Sequence, residues 1–236
     1  MARLKLAAAL LTGALAATCW WGWLMLDHAG QDAQALAEAR ERGRQEAQEQ
    51  IVLDRPVPEG NWMPLWLQTD PQWADIPYSD GTIETYGCGL TCAAMAIKYL
   101  TVQDVTPIAL SGAVGEECLT DRVNDMAKFC EWIVANYPEY GIEYSGKVWR
   151  IEEALSMVDD GWVVMAGMEG PLGDRSYGGH IILIWDVDDE GNYWVRDPDD
   201  AANSERPWTR EELEAVAWGG LQRTERRPLW QMRTRS

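Results

Sequence analysis

The spacing of apolar and polar positions divides this 236-residue chain into four stretches. Leu6 to Leu26 is uncharged and apolar, long enough to cross a hydrocarbon core of about 30 Å. Arg3 and Lys5 precede it and Asp27 follows. The positive-inside bias therefore sets the N-terminus in the cytoplasm and the remainder outside, with Trp20, Trp21 and Trp23 near the outer interface. His28 to Gln50 is rich in Ala, Glu, Gln and Arg and predicts a polar helical stalk, with Glu38 and Arg42 at helical i, i+4 spacing. Pro56 and Pro58 then mark a linker. Beyond it, helical periodicity governs Cys88 to Leu100, Asp121 to Ile133 and Ile151 to Val158. Short apolar runs at Trp162–Ala166, His180–Asp186 and Tyr193–Arg196 predict strands. Gly167 to Gly179 predicts a glycine-rich loop, and Thr209 with Glu212 three positions on predicts a capped helix ending near Ala217.

Charge narrows the function classes. A formal net charge of -18 excludes the clustered Lys and Arg that phosphate contacts require, so nucleic acid is not an expected partner. Fourteen Trp against one Phe make tryptophan the main aromatic filler of the core. Arg223 to Arg235 is a basic tail, expected to fold back on the acidic surface or to bind an anionic envelope polymer. Of five cysteines, Cys19 lies in the apolar segment. Cys118 and Cys130 are open to two readings, a disulfide in an exported domain or two buried thiols. Cys88 and Cys92 stand one helical turn apart, yet the chain supplies no second close pair to complete a zinc site. No metal or cofactor is expected.

The candidate chemistry centres on Tyr86 to Leu100, Y-G-C-G-L-T-C-A-A-M-A-I-K-Y-L. Gly87 and Gly89 flank Cys88 where an alanine-rich helix begins, and a helix N-terminus favours a thiolate. The glycines would also let a substrate backbone come close. A thiol nucleophile needs a base, and His180 is the one histidine outside the N-terminal region, His28 being the other in the chain. Asp197, at the end of the third predicted strand, would fix the imidazole. Gln68 is the candidate side chain for an oxyanion hole, together with the Cys88 N–H. Cys on a helix start, His on a strand start and Asp at a strand end is the order a papain-type thiol hydrolase needs.

The ordered set Q-T-D-P-Q-W, Y-G-C-G-L-T-C-A-A-M, G-G-H-I-I-L-I-W-D and V-R-D-P resembles the papain-like cysteine peptidases related to the bacteriocin-leader (double-glycine) processing peptidases, family thirty-nine of the cysteine peptidases. The resemblance spans Trp62 to Pro198. It implies an α+β papain-like fold in which a helical half opens with the Cys88 helix and an antiparallel sheet half carries His180 and Asp197. It also implies Cys88 as nucleophile, His180 as base, Asp197 as its orienting group and Gln68 at the oxyanion. The expected organisation is a cytoplasmic tip and signal-anchor helix (1–27), a stalk and linker (28–60), the peptidase-like domain (61–222) and the tail (223–236). The expected substrate is a peptide or protein, cleaved outside the membrane by an anchored enzyme, or by a secreted one if the apolar segment is cut. An amidase or acyl transferase on cell-wall or isopeptide bonds, and a catalytically idle binding module, are the alternatives.

Overall fold

The computed structural model describes residues 63–216 and 229–234. The predicted membrane segment, the stalk and the linker lie outside these residues. Among the described residues no helix is long and apolar enough to cross a membrane.

The chain first forms a small hairpin, β1 (Pro77–Tyr78) with β2 (Gly81–Thr82), then a single helical turn, α1 (Ile83–Tyr86), and the long helix α2 (Cys88–Thr101). Helix α3 (Pro107–Val114) follows, capped by Thr106, whose hydroxyl accepts from Ala109 N at 3.3 Å. A second small hairpin pairs β3 (Leu119–Thr120) with β4 (Val123–Asn124) ahead of α4 (Met126–Asn136). The predicted helix over Asp121–Ile133 thus begins later. Asp125 is its N-cap, accepting from Lys128 N at 3.3 Å, so the four residues before it are free to form a turn and a strand.

Strand β5 (Ile142–Val148), helix α5 (Ile151–Asp159) and strands β6 (Val163–Leu172), β7 (Arg175–Val187) and β8 (Tyr193–Arg196) build the rest, followed by β9 (Pro207–Trp208), α6 (Arg210–Val216) and β10 (Leu229–Thr234). The capping box predicted for α6 is present. Glu212 N donates to Thr209 Oγ1 at 3.1 Å and Thr209 N to Glu212 Oε2 at 2.8 Å. One six-stranded antiparallel sheet has the order β5-β10-β6-β7-β8-β9.

Both faces of this sheet are covered, which is why its central strands are continuously apolar rather than alternating. Val163, Met165, Ile181, Leu183 and Trp185 pack with α2, α3 and α4. The intervening Val164, Ala166, Met168, Ile182 and Ile184 pack with α5 and Leu213 of α6. The architecture is therefore a mixed helix and antiparallel-sheet fold with helices packed on each side of the sheet, the Cys88 helix among those on one side.

Two sequence expectations change. The glycine-rich stretch Gly167–Gly179 is not a loop. Its residues extend β6 and β7 into one long hairpin, with Leu172 paired to Arg175 and Met168 to His180. Glycine's low strand preference is overridden because the hairpin turns through Gly173 at φ +58° and bulges at Gly178–Gly179, between the Met168–His180 and Gly170–Tyr177 pairs. The second change concerns the basic tail. Residues 229–234 are a strand hydrogen-bonded between β5 and β6, with Leu229, Trp230, Gln231 and Met232 all buried. The arginines around it, Arg223, Arg226, Arg227 and Arg235, hid this apolar run. Arg233, on that strand, pairs with Glu143 of β5 at 3.1 Å.

Candidate active site

Helix α2 starts at Cys88 itself, with Gly87 as N-cap at φ -87° and ψ 8°, an unstrained geometry. The flanking glycines are required by packing. A Cβ on Gly87 would lie 2.3 Å from the Ile83 carbonyl oxygen. One on Gly89 would lie 2.7 Å from both Asn124 Cβ and Met126 Sδ. The G-C-G motif therefore lets α1, α2 and the β3–β4 hairpin close around the cysteine. Cys88 is half-buried and borders a cleft of about 710 Å³ whose other wall includes His180 and the bulged Gly178 and Gly179.

His180 sits on β7, 4% exposed, and its Nε2 lies 2.8 Å from Asp197 Oδ1. That contact leaves Nδ1 free, and Cys88 borders the same cleft close enough to act on the imidazole's charge. Burial alone would lower the imidazole's pKa. The hydrogen bond to Asp197 and the interactions with Cys88 and Asp197 outweigh it and raise it to about 9.

Asp197, fully buried at the end of β8, meets only donors. Oδ1 accepts from His180, from Asp199 N at 2.9 Å and from Asp200 N at 3.3 Å. Oδ2 accepts from Tyr177 Oη and Asn203 Nδ2, each at 2.9 Å. Burial would raise its pKa, but the His180 bond and charge and the Asn203 and Asp199 bonds hold it below the ordinary carboxylate value. The turn at residues 197–203 is what aims these backbone donors inward. Asp197 N in turn donates to Ser204 Oγ at 2.9 Å.

Tyr177 closes the arrangement from the solvent side. Its ring stacks on the His180 imidazole with centroids 4.1 Å apart and planes 10° apart, while its hydroxyl donates to Asp197. Burial first, and then Asp197, push the phenol's pKa up, so Tyr177 remains a donor throughout the physiological range. The tip of the β6–β7 hairpin leans on the same cluster. A Cβ on Gly173 would lie 2.2 Å from Asn203 Oδ1.

Gln68 is buried between the two halves of the site. Its N donates to Pro198 O at 2.7 Å, next to Asp197, and its Nε2 donates to Glu84 O in the helical turn before Cys88. Oε1 is buried without a hydrogen-bond partner among the described residues. Gln68 does not line the cleft. One of its two amide hydrogens is committed to Glu84 and the other is not.

The neighbouring thiols are of a different kind. Cys92 is fully buried and donates to Ile181 O at 3.3 Å, and burial pushes its pKa well up. Cys118 and Cys130 are buried free thiols. Burial pushes Cys118 up to about 12 and Cys130 up as well. The four sequence candidates thus fall into two groups. His180 and Asp197 are hydrogen-bonded and share a cleft with Cys88, and Gln68 braces the backbone around them.

Tyr177 and Asn203 were not among the candidates. The strand extension that stacks Tyr177 on His180 is not visible in a glycine-rich sequence. Asn203 carried one usable signal, a short polar side chain a few residues past an Asp-Pro turn, where such residues commonly bond back to the turn.

A cysteine at a helix start, sharing a cleft with a histidine that a buried carboxylate holds, is a side-chain arrangement suited to thiol chemistry. The chain belongs to the Peptidase_C39 like family, whose family model matches residues 66–225. That membership points to peptidase activity. Among solved structures, a candidate C39-like peptidase from Bacillus anthracis is similar at a TM-score of 0.45 and 15% identity, over 72% of this chain and 94% of that one. A variant of the Salmonella effector SpvD is similar at a TM-score of 0.34 and 10% identity, over 63% of this chain and 72% of that one. No curated protein matches the sequence.

Proposed function

We propose that the protein is a cysteine peptidase that hydrolyses peptide bonds through Cys88, His180 and Asp197. The observation that carries this is the His180 imidazole, bonded to a fully buried, all-donor-shelled carboxylate and lining one cleft with Cys88. The protonated imidazole stabilises a Cys88 thiolate, which attacks the scissile carbonyl carbon. The C–N bond breaks as His180 Nδ1 gives its proton to the leaving amine. Water, deprotonated by the same nitrogen, then hydrolyses the acyl-enzyme thioester and regenerates the thiol and the acid product. The Cys88 N–H in the first helical turn serves the oxyanion, while Gln68, away from the cleft, holds the backbone at Glu84 and Pro198 in place.

Peptidase family membership favours peptide substrates over cell-wall amides. The uncharged run Leu6–Leu26 behind a positive flank supports tethering to a membrane with the catalytic part on the outer side. The test is to incubate the full-length protein with a pool of peptides and read new termini by mass spectrometry. Cleavage by the wild type that Cys88→Ala abolishes is expected. Identical cleavage by both, or none by either, contradicts the proposal.

A further inference from the structure

Only three large apolar side chains are well exposed among the described residues, Tyr86, Val123 and Trp149, and two of them border the candidate cleft. Val123 is the most exposed, at 59%. It is held there at some conformational expense. The β3–β4 hairpin turns through Asp121 and Arg122, both at positive φ (49° and 61°), the pattern of a two-residue I′ turn built here without glycine. The turn is pinned from outside. Arg122 Nη1 meets Asp80 Oδ1 at 3.0 Å, and the Arg122 carbonyl accepts from Ser79 Oγ. Its base is pinned from inside, where Asn124 Nδ2 donates to Tyr86 O at 2.7 Å and Asn124 Oδ1 accepts from Tyr78 Oη at 2.6 Å.

Asp125, Thr85 and Asn124, which line the same cleft, are already engaged with their own chain, while the buried Trp230 Nε1 has no partner among the described residues. Asp125 accepts from Thr120 Oγ1 at 2.7 Å and from Lys128 N. Thr85 Oγ1 donates to Thr82 O at 3.2 Å, and Asn124 is committed as above. The inner wall is the nearly buried Ile181 and Trp230. A ligand entering beside Cys88 therefore meets apolar surface on both the rim and the wall.

We propose that Val123 and Tyr86, facing Ile181 and Trp230, form a subsite that takes an apolar side chain of the peptide next to the scissile bond. This rests on the peptidase reading and names the substrate class for it. The β3–β4 hairpin is the specificity-determining element, because it fixes Val123 relative to the nucleophile helix through Asn124.

The experiment compares two alkylating agents of like reactivity, N-benzyl iodoacetamide and N-(2-hydroxyethyl) iodoacetamide, on the full-length protein, with Cys88 modification read by mass spectrometry. The rate ratio is divided by the same ratio on a free cysteine peptide. Run at about pH 9.5, where an ordinary thiol is largely ionised, the ratio reports the subsite whether or not Cys88 is activated. The pH dependence of the rates separately reports activation, so the two ideas fail independently. The expected normalised ratio is about 10 or more in favour of the benzyl reagent, the size of one apolar-pocket contact, falling several-fold in Val123→Ser. Val123 is too exposed for that change to threaten the fold. A normalised ratio near 1 in the wild type, or one that Val123→Ser leaves in place, overturns the proposal.

Discussion

Replacing Asp197 with Asn keeps the shape of the side chain and removes its charge, and the surrounding donors make that change costly in two distinguishable ways. Every partner of the carboxylate is a donor: His180 Nε2, two backbone N–H groups, Tyr177 Oη and Asn203 Nδ2. An amide must place its own NH₂ against some of them. Two mismatched contacts at about 1–2 kcal/mol each give a loss of about 2–4 kcal/mol in stability. The second effect is on His180. Holding its pKa at about 9 against an ordinary 6.5 represents, to order of magnitude, about 3 kcal/mol in favour of the protonated ring. Burial opposes that shift and survives the substitution, so the pKa of His180 should fall back toward or below the ordinary value.

The stability consequence has a definite sign. Because the folded value is raised, the wild type enjoys this contribution fully below about pH 6.5 and loses it as pH rises through about 9. Asp197→Asn should lose little over that interval. With two histidines in the chain, His28→Gln leaves a single imidazole, and its NMR titration in the full-length protein reads the midpoint directly. A midpoint near 9 in the parent and a drop of more than about one pH unit in the Asn variant are expected. If the two titrate together, or if urea midpoints at pH 6 and pH 9.5 differ equally in both proteins, the carboxylate is not what holds the imidazole protonated.

Tyr177→Phe keeps the stacked ring but removes one donor from Asp197, so stability should fall by about 1.5–3 kcal/mol. The His180 midpoint should then rise or stay, the opposite direction to the Asn variant; a fall would contradict the arrangement. Gly89→Ala drives a Cβ into Asn124 and Met126 and should cost about 1–3 kcal/mol in thermal unfolding, whereas Gly178→Ala, which meets nothing, should stay within about 0.5 kcal/mol. Equal melting temperatures for those two variants would contradict the packing role assigned to the G-C-G glycines.

What could be read from the sequence follows from how local each signal is. The Cys88 helix, the α5 and α6 boundaries and the strand ending at Arg196 are marked by residues within a few positions of one another: a glycine N-cap, Asp160-Gly161, a capping box, an Asp-Pro turn. The sheet's true extent was not, because the partner that keeps Gly170–Gly179 extended is the opposite arm of the same hairpin and the docking of its tip on Asn203. β10 was missed for a similar reason. A strand inserted between two others owes its place to long-range pairing, and its charged residues read locally as a solvated tail. Cys88, His180 and Asp197 were legible as chemistry. The residues that hold them, Tyr177 and Asn203, became visible only once the strands were paired.

The most direct test of the central claim is the rate of iodoacetamide modification at each cysteine between about pH 5 and 9, in the full-length wild type and in His180→Ala. The account predicts that Cys88 is modified selectively at mildly acidic pH, while buried Cys92, Cys118 and Cys130 stay unmodified, and that His180→Ala removes the acidic-pH reactivity. Modification of Cys88 no faster than Cys92, or a profile that His180→Ala leaves unchanged, would contradict an activated thiolate–imidazolium pair and with it the peptidase mechanism.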